Sequence, residues 1–247
     1  MKYKYKKEHE ITYSEVDKDV KLGVVNSMNL AQDMMTTYFK TIGSDNYTVK
    51  KNDNAAWVVA KNNIHFYRRP YWLEKLRVSS NITLIKKIRL GLETVFKNEN
   101  DEVQFIVSQE ICPIDLDTRK VKKIETISFP DDMEAEEPTI IESFSKLNTE
   151  FGDKDMVYKY TIRATDIDFS NHTNNVSYIR LIMNSIQSDY WDDKDIINFE
   201  IHFINESKEN EKLFIYKKEL QNNQIEFLIT NEEKEVVRAK IDYSKIY

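Results

Sequence analysis

The sequence is poor in cysteine, glycine and proline. Its 247 residues include one cysteine, four glycines and four prolines. The single cysteine, Cys112, excludes an intrachain disulfide and a cysteine-rich metal cluster. So few glycines leave no glycine-rich loop that would cradle a phosphate group. We therefore expect a protein that needs neither a metal nor a redox cofactor.

Long apolar runs are also missing from the sequence. The N-terminal stretch MKYKYKKEHE has no apolar core of the kind a signal peptide needs, so we expect a cytoplasmic protein that does not enter membranes. Charged residues of both signs make up 32% of the chain and the net charge is -6, which argues against wholesale binding to nucleic acid. With 40% hydrophobic and 12% aromatic residues, the chain can build packed cores for one large or two modest domains.

Polar and titratable side chains are concentrated in residues 165–191, TDIDFSNHTNNVSYIRLIMNSIQSDYW. The second part of this stretch has an apolar stripe at helical spacing, which predicts an amphipathic helix. The stripe consists of Ile179, Ile182, Met183, Ile186 and Tyr190. Asn174 or Asn175 is the predicted N-cap. The positive end of such a helix suits a carbonyl oxygen that gains negative charge during a reaction.

Three polar residues precede the predicted helix: Asp168, Ser170 and His172. On an extended segment their side chains would share one side, with Phe169 and Asn171 on the other. This grouping favours a reaction site at the helix end. The alternative is a polar loop in which Asp and Asn serve only as caps and turn formers.

Residues 166–178, DIDFSNHTNNVSY, resemble the signature of the plant and bacterial acyl-acyl-carrier-protein (acyl-ACP) thioesterases, whose pattern reads approximately D-x-D-x-N-x-H-x-N-N-x-x-Y. That family has two hotdog domains in one chain, each a long helix wrapped by an antiparallel sheet. The resemblance implies an α+β fold of two tandem hotdog modules and hydrolysis of fatty acyl-ACP to free fatty acid. The acyl carrier protein would then be the partner that delivers the fatty acyl thioester.

The resemblance also implies a set of catalytic residues. The family uses an Asp, an Asn and a His of this motif, with a Glu from a later strand that stands next to a Cys in plant members. Asp168 and His172 match, and the family's Asn falls on Ser170. Glu206 matches the later Glu, and Ser207 stands in the place of the Cys. Because no thiol is present at that place, we expect water to attack the thioester directly.

In this prediction Glu206 is the general base that activates water, with help from Asp168. His172 orients the thioester or protonates the leaving thiol. Ser170 and the helix end near Asn174 bind the oxyanion. Two alternatives stay open: an acyl-CoA thioesterase with the same chemistry, and a non-catalytic acyl-binding hotdog protein, for which the serine in place of asparagine is the reason.

The first half of the chain reads as a strand over residues 8–16, a helix over residues 24–42 and then further strands. Those strands are predicted over residues 55–67, 75–88, 90–98 and 103–114. The predicted substrate contacts come from both halves of the chain: Asn174, Asn175, Tyr178, Met34 and Trp57. Met34 and Trp57 either line an acyl channel or simply fill the core. Cys112 is expected to be a buried packing thiol rather than a nucleophile.

An internal repeat predicts that the chain is duplicated. The tripeptide IHF at residues 64–66 is followed by EKL at 74–76, and IHF at 201–203 is followed at the same interval by EKL at 211–213. We therefore predict an N-terminal hotdog module at 1–128, an acidic linker at 129–153 and a C-terminal module at 154–247 that carries the catalytic motif. In the frame of the repeat, Arg69 corresponds to Glu206.

Basic residues are dense in the stretch DLDTRKVKK at 115–123, second only to the N-terminus. A run of this kind is usually a solvated face, but it is also one candidate surface for an acidic carrier protein. The oligomeric state stays open, with a homodimer among the alternatives.

Overall fold

The computed structural model describes residues 3–140 and 143–246. The chain divides into two compact units, Met1–Ser143 and Phe144–Tyr247. This division falls inside the predicted linker at 129–153, whose extent stays a prediction; residues 141 and 142 of that stretch lie outside the described residues. Within the described ranges, no helix is long and apolar enough to cross a membrane.

The first unit is an antiparallel sheet with two α-helices. The strands are β1 Tyr5–Glu10, β2 Ala55–Phe66, β3 Lys75–Lys86, β4 Arg89–Lys97 and β5 Val103–Asp115, and the helices are α1 Val24–Thr41 and α2 Asn46–Asp53. Their order across the sheet is β1-β3-β4-β5-β2. Strands β2 to β5 match the predicted strands closely. The strand predicted over residues 8–16 is wrong in its bounds, because β1 ends at Glu10 and a 3-10 turn follows at Tyr13–Glu15.

Helix α1 packs against β3 and β4 and supplies much of the first unit's core. Its buried residues include Met28, Ala31, Met34 and Tyr38, which recur at helical spacing. The helix ends where the sequence predicts. Gly43 has a φ of 72°, a left-handed conformation that glycine adopts at little cost.

Helix α2 is missing from the sequence prediction because it has almost no apolar face. Of its eight described residues, Val49 alone is buried. Its signals lie at its ends instead. The Asp45 carboxylate caps the first turn by accepting hydrogen bonds from the backbone N–H groups of Tyr47 and Thr48. Asn54 ends the helix in the left-handed region, with a φ of 50°.

The second unit repeats the sheet of the first. The strands are β6 Met156–Thr161, β7 Lys194–Phe203, β8 Lys212–Leu220, β9 Gln224–Thr230 and β10 Glu235–Lys245, and the α-helix is α3 Asn175–Asn184. Their order is β6-β8-β9-β10-β7, which is the order of β1-β3-β4-β5-β2 in the first unit. The same path in both units gives the predicted α+β fold of two tandem hotdog modules.

Helix α3 ends earlier than its apolar stripe predicts. It stops at Asn184, so Ile186 and Tyr190 lie beyond it, and Tyr190 belongs to a separate 3-10 turn. At the helix end the Ser185 hydroxyl donates to the Ile182 carbonyl at 2.6 Å. A serine hydroxyl that competes for a helix carbonyl in this way favours termination.

Buried carboxylates hold parts of the predicted linker against each sheet. In the first unit the Glu93 carboxylate accepts hydrogen bonds from the backbone N–H groups of Thr139 and Ile140. In the second unit Glu200 accepts one from the Ser145 N–H at 2.7 Å, and Nε2 of His202 lies 2.7 Å from the same carboxylate oxygen. These parts of the linker are therefore docked on their own unit.

We expect Glu200→Gln to destabilise the fold near neutral pH and much less in acid. Burial alone would raise the pKa of Glu200, but hydrogen bonds from His202 and Ser145 hold this pKa below its usual value. A carboxyl group with a lowered folded-state pKa stabilises the fold above its unfolded pKa, and that contribution is lost as the pH falls through the folded pKa. The loss near neutrality should be about 1–3 kcal/mol.

Denaturant unfolding of both proteins at several pH values from neutral to acidic checks this expectation. The difference between wild type and variant should shrink towards the acidic end. A difference that is constant with pH would contradict it.

Candidate active site

The motif residues lie on a tight turn. The prediction of an extended segment at this place is wrong. Ile167 and Thr173 form an isolated antiparallel bridge that closes the turn. Inside it the Asp168 N–H donates to the His172 carbonyl at 3.0 Å, and the Asn171 N–H donates to the Asp168 carbonyl at 3.1 Å. Asn171 sits at a φ of 61°, which asparagine tolerates better than most residues.

Although the backbone turns, the three predicted side chains still come together. The Asp168 carboxylate accepts hydrogen bonds from both the N–H and the hydroxyl of Ser170, at 2.8 and 2.5 Å. Ser170 Oγ lies 3.4 Å from Nδ1 of His172. The tight turn, rather than strand alternation, is what aligns Asp168, Ser170 and His172.

Glu206 completes this row of side chains. It lies in the loop after β7, which ends at Phe203, so it is not on the strand itself. Its Oε2 is 3.3 Å from Nε2 of His172, and the two side chains are 45% and 20% exposed. The structure thus brings together all four residues predicted to be catalytic. They form one continuous chain of contacts in the second unit, at a position that a substrate and water can reach.

The start of α3 lies directly after this turn. Asn174 is the N-cap, because its side-chain oxygen accepts a hydrogen bond from the Val176 N–H at 2.9 Å. Asn175 is the first helical residue. The predicted helix end therefore lies beside His172, and the positive end of the helix dipole faces the turn.

Asp166, the first acidic residue of the motif, is a shaping residue that the sequence analysis missed. Its buried carboxylate accepts hydrogen bonds from the Tyr160 hydroxyl at 2.8 Å and the Arg163 N–H at 2.9 Å. Its carbonyl accepts one from the Asn174 N–H at 2.8 Å. The hydrogen bond to Asp166 also raises the pKa of Tyr160. The available signal was its place as the first acidic residue of the family signature at 166–178.

Comparison with known families shows which family the chain belongs to. The model of the acyl-ACP thioesterase N-terminal domain matches residues 2–129, and that of the acyl-ACP thioesterase C-terminal domain matches residues 149–245. The chain belongs to the acyl-ACP thioesterase family. It is therefore a thioester hydrolase that cleaves fatty acyl-ACP and releases free fatty acid. A search of curated proteins found no match.

Solved structures show the same fold over the whole length of the thioesterase. An acyl-ACP thioesterase from Bacteroides thetaiotaomicron superposes with a TM-score of 0.89 at 20% identity, covering 98% of both chains. A putative oleoyl thioesterase from Lactobacillus plantarum gives 0.86 at 18% identity, covering 99% of this chain and 97% of its own. The 12:0-ACP thioesterase from Umbellularia californica gives 0.84 at 18% identity, covering 98% of both chains.

Ser207 of the thioesterase is fully buried, at 0% exposure. Its hydroxyl lies 2.7 Å from the Tyr178 hydroxyl, and its carbonyl accepts a hydrogen bond from Thr173. A hydroxyl in this position is out of reach of a substrate, which supports attack by water. Tyr178, predicted to contact substrate, directs its hydroxyl into the protein, and burial raises the pKa of that hydroxyl.

A second copy of the catalytic loop lies in the first unit of the thioesterase. The Asp17 N–H donates to the Lys21 carbonyl at 2.8 Å, and the Val20 N–H donates to the Asp17 carbonyl at 3.0 Å, with Val20 at a φ of 60°. These bonds reproduce the turn around Asp168 and His172.

The side chains of the two copies differ at three of the four predicted catalytic places. In the order Asp168, Ser170, His172 and Glu206, the first unit has Asp17, Asp19, Lys21 and Arg69. The Arg69 guanidinium donates a hydrogen bond to the Asp17 carboxylate. Lysine and arginine are protonated near neutral pH and cannot act as a general base. We therefore keep the prediction that the catalytic site lies in the second unit.

Met34 and Trp57 lie in the core of the first unit. Trp57 Nε1 donates to the Ser44 carbonyl at 2.8 Å, and its ring packs at 5.1 Å from that of Phe39. Met34 is 4% exposed on α1. Their contact with an acyl chain stays a prediction. Cys112 is half-buried and not fully buried as expected. Burial nevertheless raises the pKa of its thiol, which disfavours the nucleophilic thiolate.

Proposed function

We propose that this thioesterase cleaves fatty acyl-ACP with a water molecule activated by Glu206 and a leaving sulfur protonated by His172. The observation that carries the proposal is the 3.3 Å contact between Nε2 of His172 and Oε2 of Glu206, at a partly exposed place. A carboxylate next to an imidazole supplies a base and an acid within reach of one thioester. The family membership supplies the substrate class.

The hydrogen bonds of Ser170 support a particular protonation of His172. Ser170 donates its one hydroxyl proton to Asp168, so its Oγ faces Nδ1 of His172 as an acceptor. We assign a proton to Nδ1 for this reason. In the proposed resting state Nε2 is protonated as well and donates to the Glu206 carboxylate.

The reaction then needs no further protein group for its proton transfers. Glu206 takes a proton from water while the water oxygen bonds to the carbonyl carbon of the thioester. The negative charge that develops on the carbonyl oxygen is stabilised by the positive end of the α3 dipole. The C–S bond breaks and the Nε2 proton of His172 passes to the sulfur. The proton on Glu206 returns to Nε2 across their contact, and the products are a fatty acid and the carrier thiol.

This proposal gives Ser170 a different role from the oxyanion contact predicted from sequence. Its only proton is directed at Asp168 in the structure, so the hydroxyl has none to donate to an oxyanion. Instead it links the negative charge of Asp168 to the cationic ring of His172. Hydrogen bonds to a charged group contribute more than neutral ones, and such a link favours the form of His172 that protonates sulfur.

Thiol release from matched acyl-ACP and acyl-CoA substrates tests the substrate class. We propose a clear preference for the carrier-bound substrate. Equal turnover of acyl-CoA would favour an enzyme that does not read the carrier. Acyl binding without thiol release from any substrate would overturn the proposed reaction.

The carrier protein has a basic surface to dock on in the first unit. The Ile124 N–H donates to the Lys87 carbonyl at 2.9 Å, which places the stretch 119–123 beside the turn between β3 and β4. The surface so formed, called here the basic surface, exposes Lys86, Lys87, Arg89, Arg119, Lys120 and Lys123. Val121 and Ile88 are exposed among them, at 49% and 38%. A cationic surface with apolar contacts suits an acidic partner.

We expect charge reversal of Lys86, Lys87, Lys120 and Lys123 to Glu to lower kcat/KM for acyl-ACP by roughly tenfold at low salt, with less effect at high salt. The value for an acyl-pantetheine substrate should not change, because this substrate has no carrier. Reversal of Lys6 and Lys7, which are exposed on β1, is the matched control. Equal losses on both substrates would contradict docking at the basic surface.

We also propose that the enzyme acts in the cytoplasm, in fatty acid biosynthesis. The support is the substrate class, since a fatty acyl-ACP must be supplied by reactions that build the chain on the carrier. Expression of the wild type in a bacterial host should raise free fatty acid levels. Export of the protein, or unchanged fatty acids with active enzyme, would count against it.

A further inference from the structure

Two hydrogen bonds tie the His172 loop to the Glu206 loop directly behind the catalytic pair. Thr173 follows His172 and Ser207 follows Glu206 in the sequence. The N–H and the hydroxyl of Thr173 both donate to the carbonyl of Ser207, each at 3.0 Å. Any shift of one loop against the other must therefore stretch these bonds.

Helix α3 adds a third contact to the same place. The Tyr178 hydroxyl lies 2.7 Å from the Ser207 hydroxyl. Thr173, Tyr178 and Ser207 are all buried, at 6%, 2% and 0% exposure. A buried hydroxyl that loses its partner is costly, so this arrangement has one strongly preferred geometry. We call these three residues the clamp.

The first unit shows what the same loop looks like without a catalytic pair. The backbone bond is retained, since the Leu22 N–H donates to the Pro70 carbonyl at 2.7 Å. Leu22 and Pro70, which stand in the places of Thr173 and Ser207, have no side-chain hydroxyl. Ser27, in the place of Tyr178, turns its hydroxyl back to the Gly23 carbonyl at 3.0 Å.

This comparison separates two roles of the contact. The hydroxyl contacts are not required to form the loop, because the first unit has the same turn with a left-handed residue at the same place, and there the Arg69 guanidinium joins the two loops by donating to Asp17. The hydroxyl hydrogen bonds of Thr173, Tyr178 and Ser207 occur in the unit that carries His172 and Glu206. We therefore relate these hydroxyl hydrogen bonds to the His172–Glu206 pair and not to formation of the loop.

We infer that Thr173, Tyr178 and Ser207 are positioning residues that set the distance between His172 and Glu206. The inference rests on the proposed function of that pair. A displacement of catalytic groups on the order of 1 Å can lower the rate by a factor of about 100. Contacts that hold the two loops at a fixed distance therefore preserve the rate. The clamp acts through the pair and touches no reacting atom.

The clamp should hold across the working pH range. Burial raises the pKa of Tyr178, and the hydrogen bonds with Ser207 and Thr173 offset this only in part. The tyrosine therefore stays a neutral hydroxyl while the enzyme works.

Tyr178→Phe, Ser207→Ala and the double variant form the test. Each single variant breaks the contact between the two buried hydroxyls, so both stability and kcat should fall, kcat by about tenfold. The double variant removes both hydroxyls and leaves neither unpaired, so its Tm should recover much of the loss. For a positioning role, kcat must stay about tenfold low in the double variant with KM little changed. Recovery of kcat together with Tm would overturn the inference.

Thr173 and Ser27 supply matched variants. Thr173→Ser keeps the donor hydroxyl and should retain wild-type kcat, whereas Thr173→Val is isosteric but lacks it and should lose about tenfold. Ser27→Ala removes the corresponding hydroxyl from the first unit and should leave kcat unchanged. A loss of kcat in Ser27→Ala as large as in Thr173→Val would mean that the effect is general loop stability.

Failure of the proposed function is distinguishable in the same set of assays. If Glu206→Gln and His172→Ala retain wild-type turnover, the pair is not catalytic and the reaction proposal fails. If those variants are inactive while Thr173→Val and the double variant have normal kcat, the pair stands and the clamp inference fails.

Discussion

Glu206→Gln should lower kcat for fatty acyl-ACP by roughly 100- to 10,000-fold, the range typical of a lost general base. The glutamine side chain has nearly the same size, but its amide cannot take a proton from water. Because Glu206 is 45% exposed and lies in a loop, the fold should be unaffected. Steady-state thiol release, with Tm measured in parallel, checks both expectations.

The substrate affinity of this variant separates base catalysis from binding. If Glu206 acts only on water, KM should change little while kcat falls, because the interaction is made in the transition state. Glu209→Gln is the matched control, since Glu209 is an exposed carboxylate in the same loop. Wild-type kcat in Glu206→Gln, or an equal loss in Glu209→Gln, would remove Glu206 from the mechanism.

Most helices and strands of the fold were predictable because they carry strong local patterns. Helix α1 has a regular apolar face and a glycine stop, and strands β2 to β5 are β-branched runs bounded by turns. Helix α2 escaped prediction because its ends carry the signal and its faces do not. The end of α3 was misplaced because the apolar stripe continues past Asn184, through the buried Ile186 to Tyr190 in the 3-10 turn.

The residues of the site were predictable, but their geometry was not. Asp168 and His172 lie in one short polar run, whereas Glu206 could be found only through the resemblance and the internal repeat. The turn at 168–172 depends on a left-handed backbone conformation at Asn171. Asparagine tolerates this conformation but does not require it, so the residue type alone does not predict the turn. The contact of Tyr178 with Ser207 joins residues far apart in the sequence, and local patterns hold no information on such pairs.

Ser170 is where the site departs from the family motif, and the structure defines what this costs. Its Oγ is 2.5 Å from the Asp168 carboxylate but 3.4 Å from Nδ1 of His172. The second distance is long for a hydrogen bond, so the link to the imidazole is weak. A side chain that reached further could hold both partners at once.

Ser170→Ala and Ser170→Asn should therefore change activity in opposite directions. The alanine variant breaks the link, and we expect a fall in kcat/KM of about tenfold, as for loss of one modest hydrogen bond. The asparagine amide is longer, with an NH₂ group to donate to Asp168 and a carbonyl oxygen to accept from Nδ1 of His172. A gain of about 1.4 kcal/mol from one better hydrogen bond would raise kcat/KM about tenfold.

The same pair of variants separates a link role from the oxyanion role first assigned to Ser170. Under either role alanine is slow, but an improved link acts on His172, so Ser170→Asn should mainly speed the step in which the leaving thiol is protonated. The gain should be larger for substrates with a poor, more basic leaving thiol than for aryl thioesters, whose thiolates leave without a proton. An oxyanion donor would speed both kinds of substrate alike. Asp19→Asn, the equivalent change in the first unit's loop, is the control and should leave kcat/KM unchanged. A folded Ser170→Asn with lower kcat/KM would mean that the turn has adapted to serine, and wild-type activity in Ser170→Ala would exclude the link altogether.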